Sequence, residues 1–188
     1  MEKIIEWLIR IDVMAAVLVM ILFPLIFLFV SLRDGTVARR MLVYWRASSL
    51  LALTVYLLSA GWAVGYLTGF VALLMIPSAI WLGDSIYNPP ASPLPGGSRL
   101  REIYRIWRWA VTILCALSIP LIMPALACTF GGGPNPFCHY WLVLPGEYFE
   151  FVHGAADPAI FGWIAAGLLP IYVVYAAFTL HTWYQTYL

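Results

Sequence analysis

Charge is what this sequence most lacks. Only 10% of its 188 residues are Asp, Glu, Lys or Arg, whereas soluble domains carry about a quarter. That scarcity excludes an ordinary water-facing surface. A net charge of +1 excludes nucleic-acid binding, which needs a basic patch large enough to displace counterions. Cysteine and histidine are sparse too, at three each. With no CxxC pair and no CxxCH run, the usual thiolate-metal and haem-attachment signatures are missing. Residues 128–153 contain no Lys or Arg, and residues 47–83 contain no charge of either sign.

What is abundant is apolar, 63% of the chain, and it comes in long continuous runs. Only helices and closed barrels satisfy the backbone in lipid, and barrel strands alternate over roughly ten residues. The fold class is therefore all-α, an integral membrane helical bundle forming a single domain over 1–188. The uncharged run of 37 residues would make a helix of about 55 Å, far longer than a bilayer core of about 30 Å. It must divide into two. The predicted spans are 13–32, 47–64, 69–83, 109–126 and 158–182, with a tight turn at 65–68. Ahead of them, MEKIIEWLIR sets Glu2, Lys3, Glu6 and Arg10 on one narrow arc, opposite Ile4, Ile5, Leu8 and Ile9. That pattern predicts an N-terminal interfacial helix. The apolar run that follows is too long for a cleaved signal, and no small-x-small site closes it.

Eight of the ten Lys and Arg residues fall in the connections 33–46 and 84–108. The positive-inside bias then places Arg39, Arg40, Arg99 and Arg105 in the cytoplasm, the N-terminus and loop 127–157 outside, and the C-terminus inside. The same count favours a spanning helix at 69–83 over a re-entrant one, despite Pro77. Trp45, Trp81, Trp107, Trp109 and Trp183 would ring the inner interface, with Trp7, Trp62 and Trp141 at the outer one. The Pro/Gly-rich stretch after Asp84 predicts an irregular loop, and so does the glycine- and proline-rich stretch after Cys128. Residues 99–108 suit a short basic helix, and 145–153 a short helix on the outer surface.

The chemistry is thin. No Asp, Glu, Lys or Arg lies in the predicted cores of the second to fifth spans, which counts against an ion-coupled transporter or a proton pump. Asp12 reads either as an intramembrane carboxylate for a proton or pigment, or as an N-cap; its edge position favours the cap. Pro24 should free a carbonyl one turn back. Gly61, Gly65 and Gly69 form a stripe that serves packing and the turn. Cys128 and Cys138 flank a flexible turn in an oxidising compartment. A disulfide is the first reading, worth about 2–3 kcal/mol, ahead of free thiols and of a metal site with His139. Cys115 is a small apolar filler. Glu147, Glu150 and His153 share a face, but the further carboxylates a di-iron site requires are missing, so the face is a solvated one. His153 and His181 are the candidate pigment ligands, and no metal centre is expected. Trp141, Glu147, Tyr148, Phe149 and Glu150 are the candidate partner-binding residues, because aromatics beside carboxylates supply binding hot spots.

The run YWRASSLLALTVYL at 44–57, LTGF at 67–70, WRWAVT at 107–112 and the Cys128/Cys138 loop together resemble a family of cyanobacterial integral membrane proteins with no established activity. The resemblance implies a thylakoid or plasma membrane and a lumenal or periplasmic outer loop. The expected function is a non-catalytic accessory or assembly subunit of a larger photosynthetic membrane complex, with lipid and other membrane subunits as partners. A small transporter or channel is the alternative, and so is a protein binding a quinone or a pigment such as chlorophyll or carotenoid.

Overall fold

The computed structural model describes residues 2–31, 35–87, 98–131 and 136–187. Among them, five helical stretches are long and apolar enough to cross a membrane: Lys3–Phe29, Met41–Ser59, Val64–Trp81, Glu102–Thr129 and Pro158–Thr182. The Pro-rich part of the second arginine-bearing connection, 88–97, and the glycine-rich positions 132–135 lie outside the described residues.

The chain opens with α1 (Glu2–Ala16), a π-helical turn (Val17–Leu22) and α2 (Phe23–Ser31), which follow one another without a break. The amphipathic opening segment is thus the first part of the first span. It turns Ile9 inward and leaves Trp7 and Leu8 exposed. Pro24 explains the π turn that precedes it. Stepping from i−5 back to i−4 bonding leaves one surplus carbonyl, and the proline, lacking an N–H, leaves a second. Both are satisfied from other helices: Trp107 Nε1 donates to the Val19 carbonyl at 2.9 Å, and the Tyr44 hydroxyl donates to that of Met20.

The second span belongs to α3 (Gly35–Ser59). Nothing after Gly35 breaks a helix, so residues 35–46, predicted as a connection, are helical. α3 ends where Gly61 adopts φ +76°. The Trp62 N–H reaches the Leu57 carbonyl and the Gly61 N–H that of Leu58, both at 2.9 Å, which is the Schellman arrangement with glycine at C′. The turn therefore sits at 60–63, earlier than predicted. Gly65 instead lies inside α4 (Val64–Tyr87), where a Cβ would collide with Leu58 Cγ at 2.6 Å. α5 (Ser98–Ile122) absorbs the basic segment into the fourth span. Pro124 converts the chain to a 3-10 turn (Met123–Ala125) before a short α6 (Leu126–Thr129).

The largest departure is α7 (Pro136–His153), an 18-residue helix where a loop ending in a short surface helix was predicted. Trp141, Leu144, Pro145 and Phe149 are buried at helical spacing, which turns the stretch into an amphipathic helix that needs a partner surface. It finds one on α3, α1 and α5. Finally α8 (Pro158–Tyr187) starts behind Asp157, whose Oδ1 accepts the Ala159 N–H at 2.9 Å, with proline at the first helical position.

α3 is the hub, packing against α4, α7 and α8, while α4 packs on α5 and α2 on α3. α8 comes close enough that a Cβ on Gly162 would overlap the Cβ of Ala60. α7 lies across the end of the bundle where α1 begins and α3 and α5 finish. There Tyr66 Oη donates to the Cys138 carbonyl at 2.8 Å, and Ser59 Oγ to the Pro145 carbonyl at 2.9 Å.

Candidate functional site: an apolar cavity inside the bundle

The first four spans do not close on one another. Between α1 with its π turn, α3, α4 and α5 lies a cavity of about 440 Å³, roofed at the α7 end by Trp141, Pro145 and Tyr148. That volume is within the ordinary range for small-molecule sites, about 300–1,000 Å³. Its walls are almost wholly apolar, including Met20, Leu58, Leu73 and Ile122, and the π turn contributes Val17 and Ile21. Gly69 lines it as well, because a Cβ there would press on Ile122 Cδ1 at 3.0 Å and Thr54 Cγ2 at 3.1 Å.

A single carboxylate faces this space among the lining residues. Asp12 is only 8% exposed and accepts a hydrogen bond from Ser118 of α5 at 2.7 Å. Its expected role as an N-cap is corrected by the helix itself: α1 has already begun at Glu2, so Asp12 stands well inside it, on the inward face with Ile9. The sequence signal was there, since Ile9 and Asp12 are three residues apart on one helical face. The pull of the edge position obscured it. Among the described residues Asp12 Oδ2 has no hydrogen-bond partner. Nearby, Thr54 Oγ1 donates to the Leu50 carbonyl at 2.9 Å and lies 2.8 Å from Thr68 Oγ1. Ser49 Oγ donates to the Arg46 carbonyl at 2.7 Å. At the other end of the cavity the indole nitrogen of Trp45, a lining residue, is buried with no hydrogen-bond partner among the described residues.

The residues singled out from the sequence fall into separate groups. Cys128 and Cys138 stand at disulfide distance with Cα atoms 6.4 Å apart, as a bond requires, and tie α6 to the start of α7. Cys115 is buried and free. Of the partner-binding set, Trp141 and Phe149 are buried and so cannot serve a docking surface: Trp141 Nε1 donates to the Leu121 carbonyl at 3.1 Å, and Phe149 packs edge-on against Phe161. Tyr148 is half-buried at the cavity roof. Glu147 pairs with Arg10 of α1 at 3.2 Å, while Glu150 is exposed. His153 is half-buried, with Nε2 at 3.2 Å from Tyr56 Oη and its ring against Phe149 and Phe161. His181 is exposed on α8, so the two histidines do not share a site. Among the described residues no group of His, Cys, Asp and Glu could hold a metal ion. The tryptophan belt needs correction too. Trp107, like Trp141, is an interior residue, recruited by a carbonyl that lipid could not satisfy; Trp81 and Trp109 do pair at the surface.

Fold and cavity together define a class: an all-helical, multi-pass membrane protein whose bundle holds an apolar cavity lined, among the described residues, by one buried carboxylate. Within that class the chain belongs to the family described as protein of unknown function DUF3177, whose model matches residues 6–183. No curated protein and no solved structure matches the chain.

Proposed function

We propose that this protein is a non-catalytic membrane subunit that holds an amphipathic, largely apolar molecule of the quinone or pigment type between its first four spans. The observation that carries this reading is the cavity. At about 440 Å³ with almost wholly apolar walls, it has the size and lining of a small-molecule site. The π turn in its wall agrees with the tendency of such turns to mark functional sites.

The accessory role in a larger complex is supported by the α7 end. Phe151 is 90% and Phe130 79% exposed there, beside the exposed Glu150. These replace Trp141 and Phe149 as the groups a neighbouring subunit would meet. The finer setting is a cyanobacterial thylakoid or plasma membrane, with α7 on the lumenal or periplasmic side and the arginine-rich ends in the cytoplasm. Purification from native membranes in mild detergent, followed by mass spectrometry of extracted small molecules and co-purified subunits, tests both parts. A stoichiometric apolar molecule is expected, and it should be lost from an Ala16→Phe variant that fills the cavity. Preparations free of any such molecule would overturn the binding reading.

A further inference from the structure

From the unpaired oxygen of Asp12 we infer that the ligand carries a hydroxyl group on an apolar body, that this hydroxyl donates to Asp12 Oδ2, and that the ligand enters sideways from the lipid between α1 and α3. The inference rests on the reading of the cavity as a binding site and specifies what that site selects.

The polar end comes first. A carboxyl group that is only 8% exposed is costly to keep ionised unless both its oxygens find donors. Ser118 serves Oδ1, and that hydroxyl also lies 2.9 Å from the Leu114 carbonyl, so its one hydrogen is already contested. Oδ2 is left to whatever occupies the cavity. Thr54, Ser49 and Ser48 turn their hydroxyls to carbonyls of their own helix. A ligand hydroxyl can supply the donor. An ammonium group would bring three N–H donors into walls that are nearly all apolar, and each unmatched buried donor costs about 1–3 kcal/mol. A hydroxyl brings one donor to Asp12 Oδ2. Prenols and hydroquinones share this chemistry.

The route follows from which lining residues are exposed. Ile21 of the π turn is 38% exposed, and Ser49 and Ala52 of α3 are exposed as well, although all three line the cavity. α1 leans on α5 and α7 while α2 closes on α3, which leaves the α1–α3 side of the cavity the least closed. Asp12 and Ile21 are nine residues apart along the first span, about 13 Å at an α-helical rise. The hydroxyl therefore lies deep toward α7, and the apolar tail trails out through the side of the bundle, not through its ends.

Tritiated farnesol binding to the full-length protein in nanodiscs, read by scintillation proximity, tests this. Unlabelled farnesol, farnesyl methyl ether, decylhydroquinone and its dimethyl ether serve as competitors. Each hydroxyl form should compete at least tenfold better than its ether on the parent protein. In Asp12→Leu the hydroxyl advantage should shrink to less than twofold while ether binding persists. Should Asp12→Leu misfold, Asp12→Asn, which keeps the volume, should reduce the advantage without abolishing it. Ala52→Trp at the mouth should weaken all four compounds alike. Equal competition by hydroxyl and ether forms on the parent overturns the hydroxyl assignment and leaves the binding reading standing. Competition by none of the four overturns both, and unchanged binding to Ala52→Trp overturns the lateral route.

Discussion

Tyr44→Phe is the sharpest probe of how the first span is held. The substitution removes one hydroxyl and little else, since the ring remains edge-on to Trp107 at 5.0 Å between centroids. The hydroxyl donates to the Met20 carbonyl, one of two that the π turn and Pro24 leave without helical partners. A buried acceptor stripped of its donor costs about 1–3 kcal/mol, whereas polar contacts between membrane helices average nearer 0.6 with a ceiling of about 1.7 kcal/mol, because the unfolded state in lipid finds other partners. Here no such partner is close, because Pro24 has no N–H in the unfolded state either. The expected loss is therefore at the upper end, about 1–2 kcal/mol, measured as a shift in the detergent-driven unfolding equilibrium. Pro24→Ala supplies the check. It returns a backbone N–H one turn from Met20, so the Tyr44→Phe/Pro24→Ala pair should lose at least 0.5 kcal/mol less than the two single changes add up to, a coupling of the size double-mutant cycles resolve, roughly 0.5 kcal/mol or more. Strict additivity, or a Tyr44→Phe loss below about 0.3 kcal/mol, would refute the claim that Tyr44 serves a carbonyl orphaned by the proline.

Intact mass after alkylation in denaturant should show one alkylated thiol, Cys115, before reduction and three after it; three without reduction would rule out the Cys128–Cys138 bond. Gly162→Leu should cost about 1–3 kcal/mol by forcing α8 off Ala60, while Gly167→Leu, which meets open space, should be close to neutral; equal effects would refute the close α3–α8 approach. A cysteine introduced at Ala155 should react with an impermeant reagent from outside intact cells and one introduced at Glu102 should not; the reverse pattern would invert the proposed orientation.

The bundle was legible because its main determinants are one-dimensional. Uncharged length and continuous apolar runs are properties of consecutive residues, whereas the glycine that ends α3 is Gly61 and not one in the expected turn at 65–68. Pro24 even announced that a carbonyl would need a partner. What the sequence could not announce was who would answer it. Tyr44 and Trp107 look like interface anchors from their flanking arginines, and only the fold shows them reaching across to Met20 and Val19. α7 was missed for a related reason. Gly131, Pro136 and Pro145 argue for a loop, and the inward spacing of Trp141, Leu144 and Phe149 becomes meaningful only once the ends of α1, α3 and α5 offer a surface to cover. Asp12 was misassigned because a cap is a local feature, whereas its partner Ser118 lies 106 residues away.

These contacts also bear on why a cavity can persist among the spans at all. Lipid tails are as apolar as leucine, so apolar packing between helices gains little from solvent exclusion in a membrane. Cohesion must come from groups that lipid serves badly. Around this cavity those groups are carbonyls and hydroxyls: Val19 and Met20 bonded from α5 and α3, Leu121 bonded from α7, Pro145 bonded from α3, and Thr54 against Thr68 between α3 and α4. Each fixes a pair of helices at its own level and leaves the space between them unfilled. Helices pinned in this way need not collapse onto one another, and a molecule arriving from the lipid can enter without first prising apart an apolar seam. Asp12 differs from these groups, because among the described residues only one of its oxygens has a hydrogen-bond partner, Ser118. On the proposed binding reading, that asymmetry would set what the site selects.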